Sequence, residues 1–308
     1  MKHFTNIKDN SLKDLRKILD EAKKRKFKRK KLKTLEVDRD QPLKGNLLIQ
    51  MFEKSSLRTR ISFYLAIRQL GGSALTLRPD ELHLSKGGES LSDTAKILST
   101  YGDIFMLRTD EEKKLINFKK HLSIPLINGL SPKSHPAQIL SDIFTIEEIK
   151  EKNISKLNIC WIGDSNNVLN SLIEASIKFS FPLKIGCPKK YAPSNEMATL
   201  IKQSNGKINI FNNPQDAIRG SDVVLTDKVI SMNDKVNKKK KIKDFSNFKI
   251  NSKLMSLSKN SILLHCLPRG NEITDDVFYG KKSKVWQQAL NRVHVQKSIL
   301  LFCLGKLR

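Results

Sequence analysis

Hydroxyl and guanidinium side chains are concentrated in one turn near the start of the chain. The apolar run 47–51 leads into Phe52-Glu53-Lys54-Ser55-Ser56-Leu57-Arg58-Thr59-Arg60, and a helix-like segment follows. Where a strand gives way to a helix, backbone N–H groups and the positive end of the helix dipole face an anion. The planar fork of Arg58 suits bidentate contact with phosphate oxygens. The turn therefore predicts a phosphate site, although a plain helix start with Ser56 as N-cap fits the same residues.

Further polar groups follow later apolar runs in the first half of the chain. Arg108 comes directly after residues 104–107, and the string Ser134-His135-Pro136-Ala137-Gln138 stands at a second helix start. Proline is favoured at the first helical position, so His135 would precede the helix and Gln138 would lie in its first turn. Both side chains could donate hydrogen bonds to a carbonyl oxygen. A histidine that caps the helix without any ligand is the alternative.

In the second half, an apolar run closes on Gly163-Asp164-Ser165-Asn166-Asn167. The position resembles that of a dinucleotide-binding turn, but the glycine pattern GxGxxG is absent and no NAD site is indicated. Asn167 would instead offer an amide group to a small carboxylate at the start of a helix.

Two later strings also follow apolar runs. In Asp227-Lys228-Val229-Ile230-Ser231-Met232-Asn233, the carboxylate of Asp227 and the hydroxyl of Ser231 are four positions apart and could face one ligand ammonium. A solvated aspartate at a loop exit is the alternative. The second string is His265-Cys266-Leu267-Pro268-Arg269. The lysine-rich stretch 238–243 shows little periodicity, and we expect it to be a mobile loop that closes on substrate.

Alternating strands and helices must position these groups. Such alternation predicts an α/β fold with two domains, each a parallel sheet with helices on both faces and ligands at the carboxyl ends of the strands. We expect a C-terminal helix that opens near Asn291 and crosses back to the first domain. Strands are expected at 47–51, 74–77, 104–107, 124–127, 157–162, 183–186, 208–211, 223–226 and 261–264.

The strings together resemble the motifs of the aspartate and ornithine carbamoyltransferase family. The first resembles the family's Ser-Thr-Arg-Thr-Arg, with Leu57 in place of the first threonine, and the others resemble His-Pro-x-Gln, Gly-Asp-x-x-Asn, Asp-x-x-x-Ser-Met-Gly and His-Cys-Leu-Pro. Asn233 replaces the glycine of the fourth motif. Cys266 favours the ornithine branch, because the aspartate enzymes usually have proline there. The motifs occur in family order between about residues 52 and 294.

The resemblance implies a role for each matching residue. Catalytic roles fall to Arg108, His135 and Cys266. Ornithine contacts fall to Asn167, Asp227, Ser231 and Met232. Carbamoyl-phosphate contacts fall to Ser56, Leu57, Arg58, Thr59, Arg108, His135, Gln138, Cys266, Leu267 and Arg292.

The activity implied is carbamoyl transfer from carbamoyl phosphate to the δ-amine of L-ornithine, without a metal or cofactor. Another acceptor, such as an N-acylated ornithine, putrescine or aspartate, is the nearest alternative. The resemblance further implies a homotrimer, in which residues around Lys86 would serve a neighbouring subunit's site. It divides the chain into a carbamoyl-phosphate-binding domain (1–135), a linking helix (136–150), an ornithine-binding domain (151–285) and the returning helix (286–308).

The charge balance of the chain is strongly positive. Its 308 residues include 57 Lys and Arg against 31 Asp and Glu, a formal net charge of +26. Such a surplus can indicate a nucleic-acid partner. No helix-turn-helix, RNP or zinc-finger pattern accompanies it, however, and aromatic residues make up only 6%. We therefore expect no nucleic-acid partner, and a basic nucleic-acid-binding protein on this fold is the less favoured alternative.

Cysteine spacing and hydropathy indicate the cellular compartment in which the protein is expected. Cys160, Cys187, Cys266 and Cys303 are widely spaced and form no CxxC pair, so neither a disulfide framework nor a zinc site is indicated. The longest apolar runs are much shorter than the roughly 20 residues of a membrane span. Residues 1–19 carry charges throughout and contain no apolar core of a signal peptide. A cytoplasmic protein without a membrane partner is expected.

Overall fold

The chain divides into two compact units. A computed structural model describes residues 1–78, 88–230 and 237–307. Unit 1 comprises residues 1–144 and 290–308, and unit 2 comprises residues 145–289. The boundaries fall inside two helices, α5 (Pro136–Lys150) and α12 (Val285–Cys303), so each of these helices contributes residues to both units.

Unit 1 is built on a four-stranded parallel sheet with the strand order β2-β1-β3-β4. Leu48 of β1 is in register with Ile104 of β3 and with Ala74 of β2. Its elements other than α5 and α12 are α1 (Leu12–Lys28), β1 (Leu47–Phe52), α2 (Leu57–Gln69), β2 (Ser73–Leu77), α3 (Leu91–Tyr101), β3 (Ile104–Arg108), α4 (Glu112–His121) and β4 (Leu126–Leu130).

Unit 2 is built on a five-stranded parallel sheet with the order β7-β6-β5-β8-β9. Ile159 of β5 is in register with Leu183 of β6 and Val223 of β8. The elements are β5 (Ile159–Ile162), α6 (Asn167–Phe179), β6 (Leu183–Gly186), α7 (Asn195–Lys202), β7 (Ile208–Phe211), α8 (Pro214–Ile218), β8 (Val223–Thr226), α9 (Lys238–Asp244), α10 (Ser252–Met255), β9 (Ile262–His265) and α11 (Asp275–Phe278).

The central strands are apolar because the sheets are buried. The residues of β5 and β8 are all buried, as are the first four of β3. Runs of this kind are typical of parallel strands with both faces covered. The expected α/β fold with two parallel-sheet domains is confirmed, and the C-terminal helix runs from unit 2 into unit 1. It begins at Val285, six residues before the predicted opening at Asn291.

One strand lies later in the chain than predicted. The sequence placed it at 124–127, whereas β4 is Leu126–Leu130. Pro125 has no N–H to donate, and its carbonyl accepts a hydrogen bond from Phe105 at the start of the pairing. Asn128, a polar residue within β4, is fully buried and donates to Thr5 O at 3.0 Å and to Ser131 Oγ at 3.1 Å. The strand was misplaced because Asn128 is polar, and its burial involves a contact with Thr5, 123 positions away, that the local sequence cannot show.

Residues 238–243 do not form the loop that the sequence predicts, and their mobility stays a prediction. Those residues belong to the helix α9, whose N-cap Asn237 accepts a hydrogen bond from Lys240 N at 3.2 Å. Lysine is a good helix former. Lys241 is 3% exposed, whereas Lys239 and Lys240 are exposed. A buried charged residue gives no apolar period, which is why the helix was not recognised in the sequence.

A cluster of charged residues ties α12 to the first helix within unit 1. The carboxylate of Asp38 lies 2.9 Å from Arg25, 2.7 Å from Arg29 and 2.7 Å from Lys297. All four side chains are buried. Burial alone would raise the pKa of Asp38, but Lys297 and then Arg29 and Arg25 hold it below its ordinary value. We call these four residues the Asp38 cluster.

Within the described ranges, no helix is both long enough and apolar enough to span a lipid bilayer.

Candidate functional site

The predicted phosphate turn lies where the sheet of unit 1 reverses its strand order. The chain passes from β1 to β2 on one side and then returns to place β3 on the other side of β1. Ligands of open parallel sheets bind beyond the carboxyl ends of the strands at such a point. The turn 53–56 follows β1, and Arg108 is the last residue of β3. Fold topology therefore brings the two together.

The start of α2 differs from an ordinary capped helix. Ser56 is the N-cap with extended backbone, and its side chain makes no capping hydrogen bond. Leu57, the residue that departs from the family motif, is 69% exposed, whereas Thr59 is 1% exposed. Of the two arginines of the turn, Arg60 is exposed and Arg58 is half-buried. Arg58 is thus the more enclosed of the two charges.

Two arginines of unit 1, Arg108 and Arg292, contact the side chains of Thr59 and Gln138. Arg292 donates through Nη2 to Thr59 Oγ1 at 2.8 Å and through Nη1 to Gln138 Oε1. Arg108 lies at 3.5 Å from the same Thr59 hydroxyl. Gln138 Nε2 donates to Asp142 Oδ1 at 2.8 Å, which fixes the orientation of its amide. The structure thus brings the predicted residues Thr59, Arg108, Gln138 and Arg292 into one network, which we call the Thr59 network.

His135 is buried beside these arginines. His135 is 4% exposed. Burial lowers the pKa of His135 well below 6.5, and the positive charges of Arg292, Arg108 and Arg58 lower it further. The imidazole is therefore neutral near pH 7. A neutral imidazole can donate a hydrogen bond to a carbonyl oxygen without transferring its proton.

The corresponding point in unit 2 carries different chemistry. The sheet reverses its order between β5 and β8, and the turn 163–166 and Asp227 follow these two strands. Asn166 Nδ2 donates to Asp227 Oδ2 at 2.7 Å, and Cys266 Sγ donates to Asp227 Oδ1 at 3.0 Å. Both carboxylate oxygens are thereby oriented. The carboxylate is a natural partner for a ligand ammonium.

Asn166 also caps the helix that follows it. Its Oδ1 accepts hydrogen bonds from Val168 N at 3.0 Å and Leu169 N at 3.1 Å. Asn167, the residue predicted to bind the acceptor, is the first residue of α6 and is half-buried. The sequence prediction missed Asn166, although asparagine before a helix is a recognisable N-cap.

The string after β9 is held by a buried histidine. His265 Nδ1 accepts from Leu267 N at 2.9 Å, so the proton is on Nε2, which lies 2.9 Å from Glu272 Oε1. Leu267 has a φ of 60°, a left-handed conformation that is costly for leucine. The His265 contacts therefore hold a strained turn that aims Cys266 at Asp227.

The cysteines differ in accessibility. Cys160, Cys187 and Cys303 are buried, and Cys266 is partly exposed. Burial raises the pKa of Cys160 to about 12 and that of Cys187 to about 11. Within the ranges that the structure covers, no group of three or more His, Cys, Asp or Glu side chains is arranged to hold a metal ion.

Some predicted residues fall outside the described ranges. They are Ser231, Met232 and Asn233 of the fourth motif and the segment around Lys86. Conversely, the structure gives contacts to two acidic residues for which the sequence predicted no role, Asp142 and the Asp164 of the Gly-Asp-x-x-Asn string. Asp142 orients Gln138, and Asp164 lies 2.6 Å from the buried Lys241.

Comparison with known proteins also separates the chain into a phosphate-binding half and an amino-acid-binding half. Residues 2–148 match the family described as "Aspartate/ornithine carbamoyltransferase, carbamoyl-P binding domain". Residues 155–303 match "Aspartate/ornithine carbamoyltransferase, Asp/Orn binding domain". The ornithine carbamoyltransferase of Rhizorhabdus wittichii is 40% identical over 307 residues, covering 99% of this chain and 98% of that protein.

Solved structures give the same result. The ornithine carbamoyltransferase from Pyrococcus furiosus superposes with a TM-score of 0.91 at 35% identity, covering 99% of this chain and 97% of that chain. The anabolic ornithine carbamoyltransferase from Campylobacter jejuni gives a TM-score of 0.87 at 36% identity, covering 98% and 99%. The chain therefore belongs to the aspartate/ornithine carbamoyltransferase family.

Proposed function

We propose that the chain transfers the carbamoyl group of carbamoyl phosphate to the δ-amine of L-ornithine, producing L-citrulline and phosphate. The observation that carries the proposal is the convergence of Arg108 and Arg292 on Thr59 at the start of α2. Relatives at about 40% identity along the whole chain are named ornithine carbamoyltransferases, which supports ornithine as the acceptor.

Unit 1 supplies the groups that would bind the dianion. The backbone N–H groups at the start of α2 and the half-buried Arg58 suit the phosphate oxygens. Arg292 adds a guanidinium that Gln138 and Thr59 hold in place. Fixed donors of this kind bind the phosphate and need not reorganise during the reaction.

The carbonyl oxygen of the carbamoyl group would accept hydrogen bonds from Arg108, His135 and Thr59. Negative charge develops on this oxygen when the amine attacks, and donors in a water-poor site stabilise it most. His135 is suited to this role because its lowered pKa keeps it a neutral donor at neutral pH. Gln138 supports it by holding Arg292, and its second amide hydrogen can also donate.

The attacking amine must lose a proton first. A primary amine with a pKa of about 10.4 needs about 4 kcal/mol to form its neutral state at about pH 7.4. The positive charges of the Thr59 network favour the neutral amine over the ammonium. The departing phosphate is the acceptor we assign for the proton released on attack.

Unit 2 would recognise the amino-acid end of the acceptor. Asp227, oriented by Asn166 and Cys266, suits the α-ammonium group, and Asn167 suits the α-carboxylate. The thiol of Cys266 donates to a carboxylate, which supports a positioning role over a nucleophilic one. Ser231 and Met232 remain predicted ornithine contacts.

An acceptor panel tests the proposal. Purified protein is given carbamoyl phosphate with L-ornithine, N-acetylornithine, putrescine or L-aspartate, and each carbamoylated product is quantified. Turnover is expected to be greatest with ornithine. Preferred turnover of another acceptor would reassign the substrate. Turnover of none, together with salt-sensitive binding to duplex DNA, would favour the nucleic-acid alternative instead.

A matched pair of arginine variants tests the phosphate site. Arg58→Ala should lower kcat/KM for carbamoyl phosphate by about 100-fold or more, since one fixed donor to developing charge contributes roughly that factor. Arg60→Ala removes an exposed arginine of the same turn and should change it by less than about threefold. Equal effects of the two substitutions would contradict the assignment.

We further propose that the protein works as a homotrimer. Support comes from the apolar side chains Leu57, Ile61 and Tyr64, which are exposed along one face of α2 by their spacing. Exposed apolar groups of this kind are typical of protein interfaces. Light scattering after size exclusion should give three times the chain mass, and Ile61→Asp should lower that mass. A monomeric wild-type protein would contradict this.

The cellular assignment that fits these features is arginine biosynthesis in the cytoplasm. The Campylobacter jejuni relative is described as an anabolic enzyme, which supports the biosynthetic direction. Deleting the gene should make growth dependent on citrulline or arginine, and growth without either would contradict it.

A further inference from the structure

One lysine of α9 differs from its neighbours in burial. The side chain of Lys241 is 4% exposed, and its Nζ lies 2.6 Å from Asp164 Oδ2, whose side chain is 13% exposed. Lys238, Lys239, Lys240 and Lys243 are all exposed. Burying an ammonium group is costly unless it is paired, so the ion pair favours the placement of α9 that brings Lys241 against Asp164.

The partner of Lys241 belongs to the turn that also holds Asp227. Asp164 and Asn166 are two residues apart, and Asn166 Nδ2 donates to Asp227 Oδ2 at 2.7 Å. The Asp164 carbonyl is itself fixed by Trp161 Nε1 at 3.2 Å. The turn 163–166 thus contacts the chain immediately before residues 228–240, at Asp227, and immediately after them, at Lys241.

Additional contacts restrict α9 itself. Tyr191 donates from its hydroxyl to Asp244 Oδ2 at 2.9 Å, and its ring lies 5.6 Å from Lys241 Nζ. An ammonium over an aromatic face is attracted by it. The ion pair, the ring and the hydroxyl together fix both the rotation and the distance of α9 relative to the turn 163–166.

We propose that Lys241 is a positioning residue for the acceptor amino acid. By pairing with Asp164 it fixes the turn 163–166, whose Asn166 orients Asp227, the carboxylate assigned above to the α-ammonium group. The inference rests on the proposed ornithine specificity. All of the contacts that carry it lie in unit 2, whereas the Thr59 network lies in unit 1. Loss of the pair should therefore weaken acceptor use and leave carbamoyl-phosphate use unchanged.

Three variants of one helix test the proposal. Lys241→Met keeps most of the side-chain volume but removes the charge, Lys241→Arg restores the charge, and Lys239→Met is the control at an exposed lysine. Lys241→Met should raise the KM for ornithine at least about tenfold, because small misplacements of a binding group have large effects. The KM for carbamoyl phosphate should change by less than about twofold. Lys241→Arg should recover most of the loss, and Lys239→Met should resemble wild type.

The outcomes separate this inference from the proposed function. Wild-type turnover of ornithine establishes the function independently of any variant, and its absence would overturn both. With an active wild type, the inference is overturned if Lys241→Met leaves the ornithine KM unchanged or raises both KM values equally. Thermal unfolding and circular dichroism show whether Lys241→Met folds. Should it not fold, Asp164→Asn, which keeps the shape of its side chain, must raise the ornithine KM selectively.

Discussion

Two groups of cations in unit 1 contact different kinds of side chain. In the Asp38 cluster, Arg25, Arg29 and Lys297 surround one carboxylate at 2.7–2.9 Å. In the Thr59 network, Arg292 and Arg108 contact the Thr59 hydroxyl, and Arg292 also contacts the Gln138 amide oxygen. Burial and then the charges of Arg292, Arg108 and Arg58 lower the pKa of His135 beside them. The first group surrounds an anion of the protein, and the second lies where we propose that the ligand's anion binds.

The difference shows how the same residue type serves stability in one place and binding in another. A buried cation paired with a carboxylate is costly to disrupt, because its partner is left uncompensated. Arginines placed for a ligand are expected to contribute more to activity than to stability. Substitutions in the two groups should therefore affect different measurements.

The largest effect is expected from Arg292→Met. Removing a guanidinium that faces the anion should lower kcat/KM for carbamoyl phosphate by about 1,000-fold, the upper range for one such donor. The free energy of unfolding should fall by only about 1–3 kcal/mol, because the buried Thr59 and Gln138 side chains each lose a hydrogen-bond donor. Arg68→Met, at an exposed arginine of α2, is the control for steady-state kinetics and urea unfolding. A large loss of stability without loss of activity would remove the distinction between the two groups.

Asp38→Asn should have the reverse effect. It leaves three buried cations without their shared carboxylate, and about 3–5 kcal/mol of unfolding free energy should be lost. The activity of the folded fraction should change little. Asp40→Asn is the matched control, since the Asp40 side chain is 55% exposed and lies 2.9 Å from Arg25; it should lose at most about 1 kcal/mol. Equal losses in urea unfolding would show that the Asp38 cluster is not a stability centre.

A smaller and selective effect is expected in unit 2. Asp227→Asn removes the charge assigned to the acceptor's ammonium group, and a hydrogen bond to a charged group contributes roughly 1.5–3 kcal/mol. The KM for ornithine should rise by about tenfold to 100-fold, with the KM for carbamoyl phosphate unchanged. Asp216→Asn, at an exposed aspartate of α8, is the control. An unchanged ornithine KM would move ammonium recognition elsewhere.

The smallest effect concerns the pH dependence of stability. Because burial lowers the pKa of His135 below 6.5, the unfolded chain takes up a proton there that the folded chain does not. The stability associated with neutral His135 is fully present above pH 6.5 and is lost as pH falls below it. Urea unfolding at about pH 7.5 and pH 5 should therefore show a smaller loss for His135→Gln than for wild type. Equal losses would mean that burial and the neighbouring arginines lower the pKa of His135 less than described.

Apolar runs were sufficient to predict most of the fold. The strands at 183–186, 208–211 and 223–226 lie where the sequence places them. All four residues of the last strand are apolar and buried, whereas the first contains half-buried Lys184 and the second is largely exposed. The predictions were wrong where a polar side chain is buried, at Asn128 of β4 and at Lys241 of α9. Each makes a contact with a residue far along the chain, Thr5 and Asp164 respectively, which a local pattern cannot show.

The residues of the candidate site were predicted from motifs and from their place in the chain. Thr59 and Gln138 stand in motifs, Arg108 follows an apolar run and Arg292 lies at the predicted start of the C-terminal helix, and the structure brings the four together. Asp142 lies outside every motif, and no local signal distinguished it from surface acids. Asp164 is part of the Gly-Asp-x-x-Asn string, but its pairing with Lys241 depends on a contact 77 positions away. Asn166 is the exception, because its capping position was visible in the sequence.

The order of the chain has a consequence for biosynthesis. Lys297 lies 259 positions after Asp38, and Arg292 lies 233 positions after Thr59. During translation, the sequence of unit 2 is made before the part of α12 that completes unit 1. Domains generally fold as units as they emerge from the ribosome. Unit 2 can therefore be finished while Asp38 still lacks Lys297 and Thr59 still lacks Arg292, so the proposed phosphate site is completed last.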